Sequence, residues 1–310
     1  MFDSPLSASA YQVLGVEPDV DVESLRKAYR LRLRQTHPDT GGDAAVFVSV
    51  QRAWELVGTP EARAAYDRGH GFGAAPPPAD WSGWRPAARP PADTRPKARS
   101  QGQPGGWRRE RYLELMREWV GRGVPLDDPY DPALVRRAPR ELRRMLADAL
   151  AEEATARLVS DLGMGFTVWH DVAAAGRGGG NDDKLDHIVL SPSGLYAVLS
   201  EDFGGAVGVR RGDLTGEGVE GSPVADLLGR MRVVGRAAGV RFGGAIVVLP
   251  DEDLDQAMVP LGRVRGIPVV AVARGALANV LRQGVPGARS IGGNEIFDIR
   301  TRLQQTVRFV

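Results

Sequence analysis

Apolar positions recur at two different periods along this chain, and the change of period divides it. In the first seventy residues the spacing is helical. Leu25, Ala28, Tyr29, Leu33 and Thr36 fall three or four apart, as do Phe47, Val50, Trp54 and Val57, so each set shares one face of a helix. Arg26, Arg30 and Arg34 occupy another face of the first of these stretches. The pattern predicts helices at Ala8–Leu14, Val22–Gln35, Ala44–Val57 and Pro60–Arg68, after a disordered lead over residues 1 to 7. Thr59 supplies the cap and Pro60 the first helical position of the last one. The second and third helices pack as an amphipathic hairpin with Thr36-His37-Pro38-Asp39-Thr40 at its tip. Pro38 explains the break, because it disfavours the helical conformation for His37 and removes a backbone donor.

From Gly71 to Gly106 the periodicity disappears into Pro, Gly, Ala and Arg, as expected of a linker, with Trp81 and Trp84 as its odd aromatics. Helical spacing returns at Trp107, where Tyr112, Leu113, Met116, Trp119 and Val120 form one face and Gly121 and Gly123 close the helix. After the turn-rich VPLDDPYDP a second helical tract is predicted from Pro139 to Leu162, with Leu142, Met145, Leu146, Ala149 and Leu150 buried. Its exposed face carries Arg136, Arg137, Arg140, Arg143 and Arg144, diluted by Glu141 and Asp148. From Phe166 the signal turns to β. Strands are predicted at Phe166–His170, His187–Leu190, Leu195–Ser200, Ala206–Arg210, Ala245–Leu249 and Pro268–Ala273, with helices at Pro223–Ala238 and Gly275–Leu281. Gly176–Asn181 reads as a flexible loop, and Ser191-Pro192-Ser193-Gly194 as the turn of an antiparallel hairpin. The unbroken apolar run at 245–249 suits a strand covered on both faces. The tail from Ile291 has no assigned place. The expected architecture is therefore multidomain: an all-α unit at 1–70, a Pro/Gly-rich linker at 71–106, and a helical lead-in followed by an α/β domain with a mixed sheet at 107–310.

Composition narrows the chemistry. Across 310 residues, 40 basic and 39 acidic side chains leave a net charge of +1, which argues against a coat of positive charge for bulk nucleic-acid binding. The chain has no cysteine, so disulfides, thiol nucleophiles and cysteine zinc sites are excluded. No apolar run has the form of a signal peptide or the length of a membrane span, and the expected address is the cytoplasm.

Residues 8 to 69 resemble a DnaJ-type J domain. Tyr11 to Val16, YQVLGV, is similar to that family's YxxLGV first helix. Leu25 to Asp39 follows its basic second helix and His-Pro-Asp loop, and Phe47 to Asp67 follows its third and fourth helices. Trp54 stands where Tyr is usual, and Thr59 where Asp is common. The resemblance implies docking on a DnaK-type chaperone and stimulation of its ATP hydrolysis. His37, Pro38 and Asp39 would form the essential loop, with Arg26, Lys27, Arg30 and Arg34 facing an acidic chaperone surface. The absence of cysteine places the chain in the class lacking a zinc region.

A second resemblance covers roughly residues 150 to 275. Leu185-Asp186-His187-Ile188-Val189-Leu190 and Gly194-Leu195-Tyr196-Ala197-Val198 are similar to strands of the NERD, or nuclease-related, domain, whose core is the restriction-endonuclease-like fold. In that family an Asp and a Glu hold a divalent metal, and a Lys two residues beyond the Glu stabilises charge on the phosphate. Here Asp186 keeps the Asp, but Leu199 falls at the Glu position, Glu201 at the Lys position and Asp226 at the Gln of a Pro-x-x-Gln helix; the family's Gly-Glu becomes Ala151-Glu152. Leucine cannot ligate a metal, and a carboxylate for a lysine reverses the charge facing a phosphate. The expectation is a nuclease fold without nuclease chemistry, with no metal, no cofactor and no enzymatic activity of its own. Glu201 and Asp202 are expected to be surface carboxylates, and His170 and His187 packed residues with no serine or cysteine triad nearby.

The leading reading is a co-chaperone whose second domain selects a client or a nucleic acid. The alternatives are a metal-dependent nuclease dependent on Asp186, and a nucleic-acid-binding module using the arginine-rich region from Arg95 to Arg144.

Overall fold

The computed structural model describes residues 9–37, 44–70, 96–121, 123–174 and 183–310. The expected lead at 1–7, most of the linker with Trp81 and Trp84, and the loop at 176–181 lie outside the described residues. Contacts divide the chain into two compact units, residues 1–92 with 127–137 and residues 93–126 with 138–310.

In the first unit α1 (Ala10–Leu14), α2 (Val22–Thr36), α3 (Ala44–Val57) and α4 (Pro60–His70) fall where the spacing predicts them. Ser9 opens α1 with a reciprocal cap, its hydroxyl accepting from the Gln12 N–H while the Gln12 side chain accepts from the Ser9 N–H. Asp21 caps α2 by accepting from the Glu23 and Ser24 N–H groups. Tyr11, Leu14, Leu25, Val50, Val57 and Tyr66 form the core. Trp54 stacks on Tyr29 with ring centroids 4.4 Å apart and planes 8° from parallel, so the larger aromatic is absorbed into the helical hairpin. The helix α5 (Gly106–Val120) belongs to the second unit, whereas the short helix α6 (Pro132–Arg137), which follows the turn-rich stretch and was assigned to the second domain, groups with the first unit.

The second unit is built on a seven-stranded mixed sheet. In chain order its strands are β1 (Arg99–Gln101), β2 (Thr167–Ala173), β3 (Lys184–Ser191), β4 (Gly194–Ser200), β7 (Gly244–Leu249), β8 (Met258–Val264) and β9 (Ile267–Ala273). A separate hairpin pairs β5 (Gly208–Arg210) with β6 (Asp213–Thr215). The sheet order is β1-β2-β3-β4-β7-β9-β8. β2, β3 and β4 form an antiparallel meander. β4, β7 and β9 run parallel, with β1 parallel to β2 at one edge and β8 antiparallel to β9 at the other. On one face α7 (Arg140–Ser160) and α9 (Leu277–Gln283) cover Val168, Val198, Ile246 and Val270. On the other, α8 (Pro223–Ala238) and α10 (Gly293–Thr306) cover Trp169, Leu199 and Val247.

The structure departs from the sequence expectation at the edges. Residues 96–106, inside the expected linker, include the strand β1, which pairs with β2. Gly102 leaves that strand at φ 83°, where a Cβ would collide with the His170 carbonyl oxygen. Arg211 and Gly212, both at positive φ, turn β5 into the unexpected β6. β8 was not anticipated either, and α10 gives the unplaced tail a helix that buries Ile299 and Leu303.

Candidate functional site

In the first unit, the helical pattern of α2 sets the surface the sequence singles out. Leu25 is buried beneath it, and Arg26, Lys27, Arg30 and Arg34 are exposed. The spacing of four places Arg26, Arg30 and Arg34 in one stripe, with Lys27 and the half-exposed Leu31 alongside. His37 ends α2 in extended conformation, and its ring meets Phe47 of α3 edge-on at 5.1 Å. Pro38 and Asp39 lie outside the described residues. The opposite end of the unit is tied by Tyr11, whose hydroxyl donates to Asp67 Oδ1 at 2.6 Å and accepts from Arg63 Nε at 3.0 Å. Burial, then the bond to Asp67, pushes the Tyr11 phenol up to about 12. Arg63 also donates to the Pro18 and Val20 carbonyls, fixing the α1–α2 connection.

The second unit contains a buried network of charges under α7. Lys184 Nζ, at the start of β3, lies 2.7 Å from both Glu152 oxygens, 2.6 Å from Asp171 Oδ1 and 3.0 Å from Asp186 Oδ1. Arg108 of α5 donates to Glu152 at 2.6 Å, Asp148 at 2.9 Å and Glu201 at 3.2 Å. Asp171 reaches Lys184 from within β2 by adopting φ 50°, a left-handed conformation that Asp tolerates better than most residues. Burial alone would discharge such groups, and the ion pairs decide which of them keep charge. Burial, aided by Asp186, raises the Glu152 carboxyl to about 8. At Asp186 burial also pushes upward, but Lys184 and Arg108 outweigh it and hold the carboxyl down at about 2. Burial, followed by Glu201, raises Asp148 well above the carboxylate range. Burial opposes the charge on Lys184, but Asp186 and Glu152 overcome it and keep the ammonium protonated.

Next to this network runs a chain of neutral polar groups. His170 and His187 are cross-strand partners in the β2–β3 ladder, and their Nδ1 atoms meet at 2.7 Å. His170 Nε2 lies 2.9 Å from Ser100 Oγ on β1, and His187 Nε2 lies 3.1 Å from Ser200 Oγ on β4. Ser200 Oγ donates to Thr155 Oγ1 of α7 at 2.9 Å. Burial depresses both imidazoles, His170 to about 4 and His187 further. Ser100 is exposed, and with His170 it lines an open cavity of about 550 Å3.

The nuclease-related positions are thus redistributed. Asp186 sits inside the charged network and accepts from the Ser200 N–H at 2.9 Å. Leu199 points into the α8 core, and Ser200, whose backbone N–H meets Asp186, turns its hydroxyl to Thr155 of α7. Glu201 and Asp202, expected at the surface, are both buried, with Glu201 bound to Arg108. Asp148, expected on an exposed helix face, is buried as well. Asp226 is exposed in the first turn of α8. Serines do lie within reach of the histidines, contrary to the sequence expectation. Lys184, Arg108 and Asp171 were missed; a lysine two residues before Asp186 on a strand pattern was the one available signal. Among the described residues no group of three or more His, Asp or Glu side chains is arranged to hold a metal ion, and no helix is long and apolar enough to cross a membrane.

Residues 9–67 match the family model of the DnaJ domain. The chain is 44% identical across 64 residues to a chaperone protein DnaJ of Prochlorococcus marinus, which is 20% of this chain and 17% of that protein. It is 43% identical across 61 residues to the chaperone protein DnaJ of Nostoc punctiforme, 19% of this chain and 16% of that one. It is 38% identical across 63 residues to a tetratricopeptide repeat and J domain-containing co-chaperone of Mycosarcoma maydis, 20% of this chain and 11% of the other. The chain spans about a sixth of the length of the DnaJ relatives it matches. No solved structure matches it.

Proposed function

We propose that this J-domain chain is a co-chaperone that stimulates ATP hydrolysis by a DnaK-type chaperone, and that its second unit is a restriction-endonuclease-like scaffold, without nuclease activity, that selects a client. The first half rests on the exposed basic stripe of α2 leading directly into His37, within residues that match the DnaJ domain. Arg26, Lys27, Arg30 and Arg34 steer the helix onto an acidic surface, and His37, Pro38 and Asp39 make the loop that the chaperone senses. The ATP is hydrolysed by the chaperone.

The observation that carries the second half is the Lys184 ammonium among Glu152, Asp171 and Asp186. The order of α7 with Glu152, β3 with Asp186, β4 and then α8 follows the order the nuclease-related resemblance implies. A divalent metal in such a fold needs free carboxylate oxygens. Here an internal cation takes those oxygens, so the residues do not fit a metal and no phosphodiester cleavage follows. Four of the arginines upstream have partners within the unit: Arg108 in the network, Arg109 with Glu153, Arg111 with Glu114, and Arg144 with Glu220 and the Gly218 carbonyl.

The test is steady-state ATPase of a DnaK-type chaperone with residues 1–70, the full chain, and the full chain carrying His37→Gln. Stimulation by the first two and not the third supports the reading; equal stimulation by all three overturns the role of His37, and none by any overturns the co-chaperone assignment. Magnesium-dependent cleavage of DNA or RNA that disappears in Asp186→Ala would overturn the second half.

A further inference from the structure

Beyond the co-chaperone reading, and independent of it, the hydrogen bonds of the second unit have a direction that starts in the core. Ser200 has one hydroxyl proton and donates it to Thr155 Oγ1. The 3.1 Å contact between Ser200 Oγ and His187 Nε2 therefore has to be donated by the imidazole. A neutral imidazole protonated on Nε2 has a bare Nδ1, so His187 Nδ1 accepts and His170 Nδ1 donates across their 2.7 Å contact. His170 then has no proton on Nε2, and that atom accepts from the Ser100 hydroxyl 2.9 Å away. Burial of both rings keeps them in the neutral form that this chain requires.

From this geometry we infer that Ser100 is a nucleophile toward carboxylic esters, with His170 as its general base and His187 holding His170 in the required tautomer. A serine hydroxyl donating to a bare imidazole nitrogen, whose other nitrogen is fixed by a third group, is the arrangement that nucleophilic catalysis needs, whatever the order of the residues in sequence. Ser100 is exposed on the edge strand β1 and lines the same open cavity of about 550 Å3 as His170, with Lys97 and Arg157 on its wall, so a small ester has access to the hydroxyl. In the reaction the Ser100 proton passes to His170 Nε2 as Oγ bonds to the carbonyl carbon. The tetrahedral adduct collapses, the bond to the alcohol oxygen breaks, and the alcohol leaves with the proton from His170. Water then repeats the sequence on the acyl-serine and releases the carboxylic acid. This chemistry uses no metal and is separate from the nuclease-related positions.

The test is covalent labelling of the full chain with an alkyl fluorophosphonate, in which Oγ displaces fluoride from phosphorus, read by intact mass and peptide mapping. One adduct per chain on Ser100, absent in Ser100→Ala, is expected, together with hydrolysis of p-nitrophenyl acetate lost in the same variant. His170→Asn should slow labelling by about 10²-fold or more, as removal of a general base does. His187→Gln, whose amide oxygen still accepts from His170, should label faster than His187→Leu, with amide exchange over β2 and β3 confirming that both remain folded. No adduct on folded wild-type chain, adducts scattered over surface hydroxyls, or a rate unchanged in His170→Asn would overturn the proposal. Because the Ser100→Ala change is exposed, that arm decides the question even where the buried variants unfold.

Discussion

Lys184 and Asp186 stand two residues apart on β3, and the lysine ammonium closes on the aspartate at 3.0 Å while it also bridges Glu152 and Asp171. One buried cation thus satisfies three carboxylates. Lys184→Met should destabilise the second unit by about 3–5 kcal/mol, because removing one partner of a buried ion pair leaves the other charges uncompensated. Amide exchange of peptides spanning 184–200 reads this unit apart from the first. Unchanged protection would mean that the carboxylates are already neutral and the network is not held by charge.

Stability of the second unit should respond to pH in two opposed windows. Glu152 is raised from 4.5 to about 8, so between those values the native state keeps a proton that the unfolded chain releases, and stability falls as pH rises through the window. His170 is lowered from 6.5 to about 4, so its contribution is complete above 6.5 and is lost as pH falls toward 4. Melting of wild type and Glu152→Gln between pH 5 and 9 separates the two. The variant should lose the decline on the alkaline side and keep the acid limb; parallel curves would show that Glu152 ionises normally.

The first unit was legible because its information is local. Tyr11, Leu25, Val50 and Val57 repeat at helical spacing, and α2 and α3 end within a residue of the expected positions. The central strands were legible for the same reason, since β7 is apolar throughout and buried on both faces. The edges were not. β8 carries Pro260 and an irregular register next to it, and most of its residues face water, so it lacks a strand's apolar signature. The charged network was hidden more deeply. Asp148 reads as part of a solvated helix face and Glu152 as the counterpart of a family motif, and nothing in their spacing shows that Lys184 will come near them from a strand more than thirty residues away. The hydroxyl–imidazole chain depends on register, with Ser100, His170, His187 and Ser200 drawn from four adjacent strands.

Tyr11→Phe isolates a polar contact that ties the two ends of the J domain together. The phenol hydroxyl joins Asp67 and Arg63, while the ring packs edge-on against Tyr66 at 5.8 Å. Removing the oxygen keeps the ring packing and leaves Asp67 without this donor. The cost should be about 1–2 kcal/mol, typical of losing one hydrogen bond to a charged, partly buried partner. Urea unfolding of residues 1–70, followed by circular dichroism at 222 nm, measures it. A cost below about 0.5 kcal/mol would show that water replaces the hydroxyl at both partners.

Charge on α2 should govern encounter with the chaperone more than the lifetime of the complex. Arg26, Arg30 and Arg34 lie on one exposed stripe, and pairs at such a surface gain from long-range attraction that salt screens within about 10 Å at 0.1 M. Arg30→Glu reverses the middle charge without touching the buried face, whose nearest member is Leu25. The association rate with a DnaK-type chaperone should fall by about tenfold at low salt, converging on wild type as salt rises, while dissociation changes little. His37→Gln should behave differently, leaving the salt-dependent association intact and removing the ATPase response. Stopped-flow binding at two ionic strengths beside steady-state ATPase distinguishes the two defects. Loss of response in Arg30→Glu that persists at high salt would assign this arginine a direct contact and would contradict a steering role.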